Sequence, residues 1–217
     1  MVNKPKDLFV KVFVLVLSLM ILVSVMCACQ GEQSLNNEKS EETSDVTEAY
    51  DVCEWQSAYL DLLKTHKSTH KAFALVYIDD DDIPELYLRG VDEATGDSVC
   101  TYKNGAVIEQ GLHRTGGGWY VEKCGKVINI NGHMGQTHTH VYKLSEDGFE
   151  LVFKAVSSER INDRIELYFE YSIWDMPVSE SEYTLAVEEA VDLEYAQRFN
   201  AVEVDYDTIL EQIINFK

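Results

Sequence analysis

The sequence predicts an α+β domain in which a largely antiparallel β-sheet meander is flanked by an N-terminal helix and C-terminal helices. Three observations predict this class. Apolar residues recur at helical spacing near both ends of the 49–217 region, and segments with a period of two fill the region between them. Eleven of the twelve glycines fall between Gly90 and Gly148, where turns are therefore expected to be frequent.

Three helices are expected. Apolar residues across 50–67 lie on one helical face. Ser179 and Glu182 have the spacing of a capping box, which predicts a helix continuing to about Ala190. Asp207 is expected to cap a last helix over 208–215.

The strands are predicted from short apolar runs and from alternation. Residues 73–78 form a buried run, and 85–89 follow it after an acidic turn. Asn104-Gly105 is a strong hairpin signal between 99–103 and 106–109. Further strands are expected at 119–122, 127–130, 137–144, 149–155 and 165–171. The last two alternate regularly, so each is expected to have one buried face.

The amino terminus has the form of a secretory signal. Lys4, Lys6 and Lys11 precede an apolar run over 12–26. The alternative is a membrane-spanning helix, but a span needs about 20 apolar residues and the next charges are Glu32 and Glu38. The signal interpretation divides the chain into a signal peptide (1–28), a flexible acidic tether (29–48) and one globular domain (49–217).

Met26-Cys27-Ala28-Cys29 resembles a bacterial lipobox, in which a small residue precedes the cysteine that receives lipid. The resemblance implies cleavage before Cys29 and anchoring to the extracytoplasmic face of the cell membrane through acyl chains such as palmitate, which hold stably when there are two or more. The alternative is ordinary signal cleavage nearby, which would give a secreted protein.

Charge excludes one class of partner. Removal of 1–28 takes away three lysines and one aspartate, which leaves 15 basic and 37 acidic residues and a formal charge of −22. Nucleic acid binding needs a basic surface, so no nucleic acid partner is expected.

The acidic turn Asp79-Asp80-Asp81-Asp82-Ile83-Pro84-Glu85-Leu86 resembles the "D-x-D-x-D-G-x-P-E-L" segment of uncharacterised surface lipoproteins of Firmicutes, of the clostridial type. The segment 131–135 and the helix start 179–183 are similar to that group as well. The resemblance implies a location and a fold, but it implies no established activity.

Calcium is the cofactor that the acidic turn suggests, because alternate carboxylates around a turn suit a hard cation. The candidate ligands are Asp79, Asp81, Asp82 and Glu85. The pattern is incomplete, since Leu88 stands where a calcium loop would have its last ligand. The alternative is a tight turn in which aspartates accept hydrogen bonds from local N–H groups.

Histidines form a second candidate metal site. His138 and His140 are expected on one face of a strand with His133 just before it, a spacing that suits a transition metal such as zinc or copper. The alternative is that they border the core. Cys100 and Cys124 are expected either to form a disulfide or, with Cys53, to be buried free thiols.

No short catalytic motif is present, so no catalytic residue is assigned. The expected function is binding of an unknown extracellular ligand or protein by a membrane-anchored domain. The alternatives are a cell-envelope hydrolase without a recognisable motif and a metal-binding lipoprotein.

The anchoring prediction depends on Cys29. Mass spectrometry of protein extracted from membranes should find a diacylated or triacylated cysteine at the new amino terminus. The Cys29→Ala variant should be released or left unprocessed. An unmodified chain that begins elsewhere would reject the lipid anchor.

Overall fold

A computed structural model describes residues 52–113 and 117–217. In it one helix is followed by ten consecutive strands, and two further helices lie near the end of the chain with a short strand between them. The described part contains three α-helices and two antiparallel sheets, which confirms the predicted α+β class. The predicted signal peptide and the whole predicted tether, including Cys29, lie outside the described residues. Within the described ranges, no helix is both long and apolar enough to span a membrane.

The helices lie near the positions that the sequence predicts. They are α1 (Glu54–His66), α2 (Glu180–Ala190) and α3 (Tyr206–Ile214), and a 3₁₀ turn (Phe199–Ala201) precedes α3. The capping box of α2 is confirmed, since the Ser179 N–H donates to Glu182 and the Glu182 N–H donates to the Ser179 hydroxyl.

The smaller sheet is a four-stranded meander. Its strands are β1 (His70–Val76), β2 (Glu85–Gly90), β3 (Asp97–Lys103) and β4 (Ala106–Leu112), and they are ordered as in the chain. Asn104 and Gly105 turn β3 into β4 with φ of 54° and 81°. Two successive positive φ angles characterise the type I′ turn that Asn-Gly favours, so the predicted hairpin is confirmed.

The larger sheet has seven strands in the order β10-β9-β8-β7-β6-β5-β11. In chain order they are β5 (Gly118–Val121), β6 (Lys126–His133), β7 (Gln136–Ser145), β8 (Gly148–Ile161), β9 (Leu167–Ile173), β10 (Met176–Val178) and β11 (Ala196–Arg198). The short strands β10 and β11 therefore form its two edges.

The core has three apolar clusters, which follow from side chains alternating across each strand. The first joins α1 and α3 to one face of the four-stranded sheet and contains Tyr59, Leu86, Leu88, Ile209 and Ile213 among others. The second joins the opposite face to part of the seven-stranded sheet and contains Ala74, Tyr87, Val99, Tyr120, Val127 and Phe199 among others. The third lies between the far face of the seven-stranded sheet and α2, and includes Ile128, Val141 and Val191.

Two sequence-based predictions are wrong, one about the cap of α3 and one about burial in residues 165–171. Asp205 caps α3, because its Oδ1 accepts a 2.8 Å hydrogen bond from the Thr208 N–H, and Asp207 lies inside the first turn. The second concerns residues 165–171, which do not have a buried face: Ile165, Leu167 and Phe169 are exposed. They lie on the β8–β9 hairpin, beyond the area that the four-stranded sheet and α2 cover.

The cysteines do not form the proposed disulfide. Cys53, Cys100 and Cys124 are all free. Cys100 is buried in β3, whereas Cys124 is exposed in the turn between β5 and β6. The exposed Cys124 therefore does not face the buried Cys100, and the two thiols do not pair. The alternative of buried thiols is correct for Cys100 and wrong for the two exposed cysteines.

Candidate functional site

The acidic turn between β1 and β2 is held by its own carboxylates. Asp79 Oδ1 accepts a hydrogen bond from the Asp81 N–H at 3.2 Å, and Asp81 Oδ1 accepts one from the Ile83 N–H at 2.8 Å. Each aspartate thus bonds the backbone two residues further on, as aspartates commonly do in turns. This bonding is the local role that the sequence suggested as the alternative to calcium binding.

Lys103 supplies a cation to the same turn. Its Nζ lies 2.6 Å from Asp79 Oδ2 and also donates to Asp81 Oδ2. Burial alone would lower the pKa of Lys103, but the hydrogen bonds to the two carboxylates outweigh it and raise the pKa. The ammonium group therefore stands between the first two predicted metal ligands.

Sequence analysis did not include Lys103 in the site. A signal for it was present, because the Asn104-Gly105 turn fixes the end of β3. Antiparallel pairing of β3 with β2, in which Leu86 faces Cys100, then brings that strand end beside the acidic turn. Spacing along the chain gave no indication of this contact, since Lys103 is 22 residues from Asp81.

Glu85 lies beneath the turn and is fully buried. Its Oε2 accepts a hydrogen bond from the Ile78 N–H at 2.8 Å, and its Oε1 accepts one from the Thr101 hydroxyl at 3.1 Å. Burial raises the pKa of Glu85 to about 7, although both hydrogen bonds oppose that shift. The repulsion from Asp79 and Asp81 acts in the same direction as burial.

Three of the four predicted calcium ligands come together. Carboxylate oxygens of Asp79, Asp81 and Glu85 all lie within 4.8 Å of one another, and Asp82 is an exposed residue outside this group. A hard cation is suited to such oxygens. It would have to displace the Lys103 ammonium, so calcium binding stays a prediction with a competitor built into the fold.

The histidines are placed on one strand face but are not gathered into a site. His138 and His140 lie on the same face of β7, where they are opposite Asn131 and Asn129 of β6. Their ring centroids are 6.2 Å apart. Among the described residues the acidic triad is the one group of three or more ligands within 4.8 Å, so His133, His138 and His140 do not form such a group. Burial lowers the pKa of His140, and the neighbouring His138 and His113 lower it further.

The hairpin of β8 and β9 carries an exposed apolar surface that the sequence analysis missed. Ile161 faces Leu167 across the hairpin, and Phe169 follows Leu167 on the same face. Their exposed fractions are 67%, 56% and 51%. We call these three side chains the hairpin face. The regular alternation at 165–171 predicted a buried face. The local sequence pattern is the same for an apolar strand face that other elements cover and for one that stays exposed.

The outer edge of β9 is open over four residues. The edge strand β10 pairs with Tyr171, Ser172 and Ile173 only. No described strand pairs with Leu167–Glu170 on the side away from β8. In an antiparallel strand about half of the backbone N–H and C=O groups point to each side, so this stretch presents backbone groups outward.

A groove of about 770 Å³ adjoins this open edge. Phe169, Glu170 and Tyr171 line one part of it, and the segment that leaves β10 lines another. Its charged lining residues are Arg160, Glu170, Asp175 and Glu180. The groove is therefore acidic in balance, and it lies next to apolar side chains.

Comparisons with protein-family models, with curated proteins and with solved structures found no match. The resemblance of the acidic turn to surface lipoproteins of Firmicutes therefore stays a prediction.

Glu85 should make stability depend on pH. Between about pH 4.5, its ordinary pKa, and about pH 7, folded Glu85 holds a proton that the unfolded chain has released. Its contribution to the free energy of unfolding should therefore fall by roughly 3 kcal/mol as the pH rises through this window. Glu85→Gln removes the titration and keeps an oxygen for the Ile78 N–H. Urea unfolding across this range should show that the free energy of unfolding of the variant rises relative to that of the wild type as the pH increases. If the difference between the two free energies does not change with pH, the raised pKa of Glu85 is contradicted.

Calcium should bind better once Lys103 is removed. We expect millimolar calcium to raise the melting temperature of Lys103→Met more than that of the wild type, because the ammonium no longer competes. A hundredfold excess over the dissociation constant corresponds to about 2.7 kcal/mol of stabilisation. The matched control, Lys103→Met with Asp81→Asn, should lose the shift. Melting of Lys103→Met that does not respond to calcium or chelator would exclude the metal.

Proposed function

We propose that the protein is a lipid-anchored, extracytoplasmic binding protein that uses the open edge of β9 and the hairpin face to engage a partner. The anchor half of the proposal is supported by the signal-like amino terminus and by the sequence around Cys29. The binding half is supported by the exposed hairpin. An acidic tether before the domain would hold this surface away from the membrane.

The observation that carries the binding proposal is an apolar strand edge left open to solvent. Such an edge is a template for pairing with another chain, and natural proteins usually protect it with charges, proline or a covering element. Leu167, Tyr168 and Phe169 are instead three consecutive apolar or aromatic residues, all exposed. Exposed apolar area of this kind marks interaction surfaces.

The groove beside the edge favours binding over hydrolysis. Its lining includes three serines, Ser158, Ser172 and Ser179, but it includes no histidine, cysteine or lysine. A serine nucleophile needs an adjacent base to activate it. Ser179 is moreover committed to the capping box of α2.

Site-specific photocrosslinking on intact cells tests the binding surface. A benzoylphenylalanine in place of Phe169 should give a discrete adduct with one reproducible partner segment, identified by mass spectrometry. The same probe in place of Leu185, which is 58% exposed on α2, should not give that adduct. Leu167→Lys should remove the adduct, because a charge on the hairpin face opposes apolar contact.

Equal adducts from both probe positions, or none from Phe169, would reject the hairpin as the binding surface. The anchor is separated from this test by Cys29→Ala, which should remove membrane retention, and by the matched control Cys27→Ala, which should keep it.

A further inference from the structure

We propose that the partner is an extended, positively charged chain segment that adds to the sheet as a new strand along Leu167–Glu170. This inference rests on the proposed function and names the class of partner. It follows from three features of the hairpin: a vacant strand position, two chemically different faces, and an acidic groove at the end of the vacancy.

The vacant position exists because the chain leaves the sheet at Ser179. Strand β10 runs antiparallel to β9, and Val178 is its last paired residue, opposite Tyr171. The capping box of Ser179 and Glu182 then starts α2. An added strand would occupy the position that β10 would fill if it continued past Val178, and its backbone would pair with the outward groups of β9.

The two faces of this strand position select different side chains. On one side of the sheet the neighbours are Leu167 and Phe169, with Ile161 behind them. On the other side the neighbours are Tyr168 and Glu170, and Glu170 borders the groove. Because side chains alternate along a strand, the partner segment should alternate apolar residues with residues that suit an acidic surface.

Charge favours a cationic segment. Three carboxylates and one guanidinium line the groove. Arg160 Nε pairs with Glu170 at 3.0 Å, and Lys154 pairs with Asp175 from outside the lining at 2.8 Å. The Tyr171 hydroxyl donates a hydrogen bond to the Glu180 carboxylate. No salt bridge from a described lysine or arginine reaches Glu180, so its negative charge is available to a cation from the partner.

Charge also argues against a second copy as the occupant. The mature chain has a formal charge of −22, so two copies repel each other over distances set by ionic strength. A cationic segment is instead attracted to the domain before contact. The same attraction would orient its charged face toward Glu170 and Glu180.

The test uses the intact acylated protein in nanodiscs of zwitterionic lipid, so that the probe is not drawn to lipid charge. The probe is a short fluorescent peptide of alternating valine and lysine. Fluorescence anisotropy should show that it binds at least tenfold more tightly than the valine–glutamate counterpart. Hydrogen–deuterium exchange should slow at 167–170 when the lysine peptide is bound.

Two controls separate strand addition from non-specific attraction. Methylation of alternate backbone nitrogens in the lysine peptide removes its donors to β9 and should weaken binding at least tenfold. Phe169→Lys should weaken binding to the same extent, whereas Leu185→Lys should not change it. Glu180→Gln should weaken binding several-fold, and Glu188→Gln, an exposed change on the same helix, should have no effect.

Equal binding of the lysine and glutamate peptides, or of the methylated peptide, would overturn the proposal. Protection of 167–170 that rises with protein concentration without peptide would make a second copy the occupant and overturn it as well. Absence of peptide binding, with the Phe169 crosslink still present on cells, would overturn the partner class and leave the proposed binding surface standing. Loss of that crosslink would reject both.

Discussion

The four-stranded sheet must be buried on both faces, and the remainder of the fold depends on that constraint. In β2, Leu86 and Leu88 point toward α1 and α3, while Tyr87 points toward the seven-stranded sheet. Burial of this apolar area is the main favourable contribution to folding. Because one face is covered by helices from the two ends of the described domain, the chain must return to its starting sheet after building the seven-stranded one.

Burial on both faces has a consequence for the polar groups within the sheet, which need internal partners. Glu85 receives hydrogen bonds from the Ile78 N–H and the Thr101 hydroxyl. Asp97 receives them from the Tyr87 hydroxyl at 2.6 Å and the Gly90 N–H at 3.2 Å. The acidic turn is completed in the same way by Lys103. The carboxylates that the sequence suggested as metal ligands therefore already have hydrogen-bond partners within the protein.

The seven-stranded sheet is longer than the layers that cover it, and the uncovered part carries the proposed function. Strands β8 and β9 continue past the four-stranded sheet on one side and past α2 on the other, which leaves Leu167 and Phe169 exposed. The same start signal that forms α2 also ends β10 early and opens the edge of β9. The rest of the domain surface is strongly acidic, so the exposed apolar edge is a localised surface for hydrophobic contact with a partner. Such a surface suits a binding protein.

The sequence by itself determined the elements whose signals are local. The Asn104-Gly105 hairpin, the Ser179–Glu182 capping box and the α+β class follow from backbone preferences and from periodicity, which act within a few residues. The cap of α3 was misplaced by two residues, because Asp205 and Asp207 are equally good candidates locally. Only the tertiary structure decided which alternating strand is covered and which cation meets the acidic turn. Both outcomes depend on contacts between residues far apart in the chain. Periodicity does not encode which residues will be neighbours, so it predicts neither the exposure of Leu167 nor the pairing of Lys103 with Asp79.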